Sequence, residues 1–140
     1  MTATVTLLVE ALPVAQPRPR ATRRGPHIRI YNPDNGVLAF KDAVKEQAHA
    51  EWGSTPHLGP VIVDCLFVFP RTKGQMWKRK PQTRIPHGKK PDRDNVDKAV
   101  LDALSGIIFK DDAQVFDGRI QKWIAGKDEK PHALIEITLL

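Results

Sequence analysis

Val61-Ile62-Val63-Asp64-Cys65-Leu66-Phe67-Val68-Phe69 is apolar at every position but Asp64. A run that is apolar on both faces predicts a strand in the middle of a sheet, with neighbours on either side. Breakers bound it, in the loop at 53–60 and at Pro70. Working backwards, residues 4–12 alternate and predict a strand that Pro13 ends. Pro17-Arg18-Pro19-Arg20-Ala21-Thr22-Arg23-Arg24-Gly25 predicts irregular chain, because prolines remove donors and like charges repel. Residues 27–31 predict a short strand, and Asn32-Pro33-Asp34 a helix start with Pro33 in the first turn. Val37, Phe40, Val44, Ala48 and Trp52 then follow at helical spacing, one apolar stripe to about Glu51.

Working forwards, residues 70–91 show no periodicity, only Lys, Arg, Gly, Pro and one Trp. They predict a long mobile basic loop, a feature that is usually functional at this length. A second helix is expected at 94–105, stopped by Gly106. A short strand at 107–109, a turn at Lys110-Asp111-Asp112, a longer strand at 114–124, a turn at 126–131 and a last strand at 133–140 complete the chain. The order predicts an α+β fold, a single domain over 1–140 with a mixed β-sheet and two helices packed on one face.

A chain of 140 residues is long enough for a real core. Its net charge of +6 favours a polyanionic partner, nucleic acid first and an anionic membrane surface second. No apolar run approaches a membrane span and the N-terminus lacks a signal pattern, so a soluble cytoplasmic protein is expected. The single cysteine, Cys65, excludes an intramolecular disulfide and a cysteine-based zinc site, and reads as a buried core thiol.

So basic a chain has no general electrostatic reason to gather acids, yet its aspartates crowd into Lys89-Lys90-Pro91-Asp92-Arg93-Asp94-Asn95-Val96-Asp97-Lys98 and Lys110-Asp111-Asp112. Asp94 is the expected cap of the second helix, with Asp97 three residues on. Asp94, Lys98, Leu101, Asp102 and Ser105 share one helical face, and Val96, Ala99, Val100 and Ala103 the opposite, core-facing one. Asp92 precedes the helix in an extended segment that can set its carboxylate beside that of Asp94. The spacing permits Asp111 and Asp112 to return toward this end.

Taken singly, each acid has an ordinary explanation: a cap, a helical ion pair between Lys98 and Asp102, a solvated turn. Taken together they suggest hard oxygen ligands without Cys or His, suited to Mg²⁺ or to Mn²⁺ in its place. A basic surface with a clustered carboxylate site is what metal-dependent phosphodiester cleavage needs.

At these residues the chain resembles the RusA family of Holliday junction resolvases, many of them phage-encoded. The likeness rests on residues 90–104 and on Asp111-Asp112-Ala113-Gln114-Val115. Pro17-Arg18-Pro19-Arg20 and Phe67-Val68-Phe69-Pro70 add to it. The resemblance implies a homodimeric endonuclease that cuts four-way DNA junctions symmetrically with Mg²⁺, in DNA recombination and repair. By position, Asp92, Asp94 and Asp112 match the family's metal-binding aspartates and Lys98 its essential lysine, with Asp111 an auxiliary acid. The chain departs from the family pattern at Asp97, an added negative charge, and at Pro91, where some relatives carry a basic residue.

Arg18, Arg20, Arg23 and Arg24 form one expected DNA-binding arm. Lys73, Lys78, Arg79, Lys80, Arg84, Lys89 and Lys90 form another, with Trp77 placed to stack on an unpaired base. Two symmetric cuts call for a two-fold dimer, to which Trp123 or Leu140 would contribute apolar surface. Two other functions remain open at this point: cleavage of flaps or other branched DNA, and non-catalytic binding of branched DNA.

Overall fold

The computed structural model describes residues 2–31, 33–76 and 82–140. Strand β4 (Val61–Phe69) is central, as its unbroken apolar run requires. It pairs antiparallel with β8 (His132–Leu139), which pairs in turn with β1 (Ala3–Val9). On its other side it lies parallel to β6 (Val115–Asp117) and β7 (Ile120–Ile124), and β5 (Ile85–Pro86) closes that edge antiparallel to β7. The sheet is therefore mixed, and the fold is α+β as expected.

Helices α1 (Val37–Glu51) and α2 (Arg93–Leu104) both pack on one face of it. That face carries the alternate residues Val5, Leu7 and Val9 of β1, Val61, Val63, Cys65, Phe67 and Phe69 of β4, and Ala133, Ile135, Ile137 and Leu139 of β8. Phe40, Val44 and Ala48 of α1 and Val96, Ala99, Val100 and Ala103 of α2 meet them. The predicted core-facing stripe of α2 is the observed one. Phe40 meets Phe67 edge-on at 6.5 Å, the geometry that the ring quadrupoles favour.

Several boundaries differ from expectation for local reasons. Residues 20–24, expected irregular, form β2 (Arg20–Arg24), which pairs with β3 (His27–Tyr31) around Gly25 at φ 58°. Strand alternation divides the arginines between two faces, Arg20 and Arg24 on one and Arg23 on the other, which relieves the repulsion that argued against order. Helix α1 begins only at Val37, because Gly36 takes a left-handed conformation and donates its N–H to the Asp34 carboxylate. Residues 107–109 are not a strand but a turn that buries Ile108 and Phe109 completely. The expected strand at 114–124 is broken into β6 and β7 at Gly118.

The basic loop at 70–91 is structured in its described parts. A 3-10 turn spans Lys73–Gln75, and the Arg71 guanidinium donates to the carbonyls of Gln75, Thr83 and Ala125. Arg84, expected on DNA, grips Glu129 through Nε and Nη2 of one guanidinium edge at 2.7–3.0 Å. This bond holds the Glu129 carboxyl below its usual range. A depressed folded pKa stabilises the protein above the unfolded value, and that contribution is lost as pH falls through the folded one. Glu129→Gln is accordingly expected to cost about 0.5–1 kcal/mol near neutrality, the worth of a solvent-screened pair. The difference from wild type should vanish in urea melts taken at progressively more acid pH. A gap that stays constant down to pH 3 would contradict the assignment.

Candidate active site

The site is built at the N-terminus of α2. Asp92, not Asp94, is the N-cap residue, in extended conformation and with no hydrogen bond from its side chain to the helix. Asp94 lies in the first turn. Both carboxylates are exposed, and among the described residues no protein donor engages them. Each sits where the helix dipole favours negative charge.

Asp97 is no cap. One turn into the helix its half-buried carboxylate accepts a hydrogen bond from the buried Cys65 thiol on β4 at 3.7 Å. Burial pushes the Asp97 carboxyl above its usual range, and repulsion from Asp94 adds to the rise. Burial and the neighbouring Asp97 carboxylate raise the Cys65 thiol well above its ordinary value, so Cys65 is an inert core thiol.

Lys98, on the exposed face, reaches Asp102 one turn on at 3.9 Å, and Lys41 of α1 approaches the same carboxylate at 3.6 Å. The turn carrying Asp111 and Asp112 faces this group. Asp112 is lifted above the usual carboxylate range first by the hydrogen bond it shares with Asp111, while Lys98 draws it down and Asp102 pushes it up. Asp111 is lowered, chiefly because it accepts from the Ala113 N–H.

Gln114 explains why this turn keeps its place. Its amide donates to the carbonyls of His57 and Gly59, both at 2.8 Å, and accepts from the Asp111 N–H at 2.8 Å. One side chain thus ties the acidic turn to the loop before β4. The sequence shows Gln114 only as part of a motif, since two of its three partners lie more than fifty residues away.

The structure therefore brings Asp112 to Lys98 and Asp102, and Asp94 to Asp97. Among the described residues it does not close three acids into a group able to hold a metal ion. The donor set still fits a hard divalent cation. It is oxygen-only, Asp92 and Asp94 are uncommitted, and Asp112 carries a repulsion from Asp111 that a cation would relieve.

Basic groups surround this end of the molecule. The Gln16 N–H donates to the Asn95 carbonyl at 2.9 Å, so the segment leading into the β2–β3 ribbon passes directly over α2's first turns. The register puts Arg20, Thr22 and Arg24 opposite Tyr31, Arg29 and His27 on one ribbon face, and Ala21 and Arg23 with Ile30 and Ile28 on the other. Arg29 escaped the sequence reading because its face is defined only by the pairing. Arg18, Lys73, Lys89 and Lys90 are exposed. Trp77, Lys78, Arg79 and Lys80 lie outside the described residues.

The profile of the RusA endodeoxyribonucleases matches residues 10–138. The chain belongs to the RusA family. It is also 33% identical over 130 residues to the uncharacterized protein YqaN of Bacillus subtilis (strain 168), a match covering 89% of each chain. Membership makes this RusA-family chain an endodeoxyribonuclease of the Holliday junction resolvase class, a phosphodiester hydrolase acting on branched DNA.

Proposed function

We propose that this RusA-family nuclease resolves four-way DNA junctions by paired symmetric incision with Mg²⁺, as a homodimer, in DNA recombination and repair. The observation that carries the reading is the α2 N-terminus, where two uncommitted carboxylates, Asp92 and Asp94, lie at the root of a basic ribbon. Asp92, Asp94 and Asp112 hold the cation, with Asp111 auxiliary. When bound, the cation lowers the pKa of a water and offsets charge on the scissile phosphate. Lys98, kept on this face by Asp102, contacts that phosphate. Asp102 in turn is shared with Lys41, so Lys98 keeps part of its charge for the substrate.

The ribbon supplies the approach. A two-stranded ribbon fits the major groove, and Arg20, Arg24 and Arg29 on one face engage phosphates. Arg18, Arg23, Lys73, Lys89 and Lys90 extend the basic surface, and Trp77, Lys78 and Arg79 are assigned to it from sequence. Replacing Arg20, Arg24 and Arg29 by alanine should flatten the plot of log affinity against log salt by about 0.9 for each phosphate no longer neutralised. An unchanged slope in a fluorescence titration would remove the ribbon from the interface.

The dimer reading is supported by the sheet's other face, which neither helix covers. Leu8, Leu134 and Leu66 lie in register across β1, β8 and β4, with Leu8 and Leu134 49% and 41% exposed and Trp123 beside them. Such an apolar row on a bare sheet face suits a second copy. Among the described residues no helix is long and apolar enough to cross a membrane. Action on cellular or phage DNA supports a cytoplasmic reading.

The test is a panel of synthetic DNAs, a four-way junction, a flap and a linear duplex, incubated with and without Mg²⁺ and resolved on a denaturing gel. Paired symmetric nicks in the junction alone support the reading. Equal cutting of the flap moves the assignment to general branched-DNA cleavage, and binding without incision moves it to a non-catalytic binder.

A further inference from the structure

Lys122 is a half-buried lysine on β7, opposite Phe67 of β4. Its ammonium donates to the carbonyl of Lys89 at 2.6 Å and to that of Pro91 at 2.5 Å. Its own carbonyl accepts the N–H of His87 at 3.1 Å. One residue of the rigid sheet thus holds the incoming segment at three points, the last being the carbonyl of the peptide that joins Pro91 to Asp92. The His87 ring is held in turn against Phe69, with centroids 5.0 Å apart. Among the described residues the Asp92 carboxylate has no tether of its own. Its placement is inherited from the backbone on which it stands.

We infer that Lys122 is a positioning residue of the metal site, fixing through the Lys89 and Pro91 carbonyls the peptide from which Asp92 projects. The inference rests on the reading that Asp92 holds the cation. A lysine suits this work because three donors on a flexible stem can satisfy two carbonyls at once, whereas an isosteric methionine fills the same space and satisfies neither. Groups that orient a ligand without touching the metal typically account for a 10–100-fold difference in metal affinity or activity. Lys122 is the described side chain that acts in this way on Asp92.

The experiment uses the full chain as wild type, K122M and D92N. Mn²⁺ affinity is measured by calorimetry, junction affinity in Ca²⁺, thermal midpoint by scanning, and the Mg²⁺ concentration giving half-maximal cleavage at saturating junction. K122M should bind Mn²⁺ roughly tenfold more weakly and need correspondingly more Mg²⁺, while its junction affinity stays within about twofold of wild type. If K122M lowers the thermal midpoint substantially, K122Q takes its place. Its amide keeps one pair of donors, and an Mn²⁺ affinity between those of wild type and K122M is expected. Wild-type Mn²⁺ affinity in K122M or K122Q overturns the inference, as does a loss confined to junction affinity, which would make Lys122 a phosphate-binding group. The D92N arm separates the two readings. If D92N binds Mn²⁺ and cleaves like wild type, Asp92 holds no cation and the underlying reading fails as well.

Discussion

Asp94→Asn should abolish detectable junction cleavage while leaving junction binding intact. The expected loss in single-turnover rate is at least about a hundredfold, since groups one shell removed from a metal already account for 10–100-fold. Folding should be nearly untouched. The side chain is exposed and makes no bond with the protein among the described residues, so the substitution removes only a favourable helix-dipole interaction of about 0.3–1 kcal/mol. Binding should strengthen slightly if it changes at all, because one negative charge leaves a surface that approaches phosphates. The neutral side chain also stops repelling Asp97, whose carboxyl should relax toward its ordinary range. Quenched-flow cleavage with a parallel gel-shift titration reads both effects. A variant that cuts at more than a tenth of the wild-type rate would take Asp94 out of the site.

Gly118→Ala should be the most damaging glycine-to-alanine change among the described residues. Gly118 lies at φ 153°, where β6 gives way to β7, and it packs directly against the backbone of Val63. A Cβ there would overlap the Val63 carbonyl oxygen and sit 2.8 Å from its carbonyl carbon. Val63 belongs to the central strand and cannot yield without disturbing the pairing of β4 with β8. The expected loss is about 3 kcal/mol or more, from overpacking and backbone strain together. Urea denaturation would measure it. A loss under 1 kcal/mol would mean that the β6–β7 break is free to move.

The same glycine shows where the sequence stops being legible. Residues 114–124 are expected as one strand; Asp117-Gly118 hints at a turn, but nothing local announces that Gly118 must let the Val63 carbonyl pass. Central β4 was legible because its run is apolar on both faces, and the buried stripe of α2 because burial on one side imposes helical periodicity. Strand β3 was legible at 27–31, but its partner β2 was not, since its five residues are all exposed and its order comes from pairing across Gly25.

The candidate site divides in the same way. Asp92, Asp94, Lys98 and Asp112 are readable from helix spacing and from the family motif, because identity and interval are local properties. The residues that hold them are not. Gln114 reaches back to His57 and Gly59, and Lys122 reaches to Lys89 and Pro91, through bonds that exist only after the sheet has formed. The cap was misplaced by two residues, because Asp92 and Asp94 are both good cap residues and only the backbone chooses between them.

The most direct measurement is the anomalous scattering of Mn²⁺ in crystals of the protein soaked in that ion. Asp92, Asp94 and Asp112 acting as one metal site predicts an Mn²⁺ peak bonded by oxygens of all three, with the Asp111–Asp112 turn drawn toward the α2 N-terminus. A peak elsewhere, or none at saturating Mn²⁺, would contradict it.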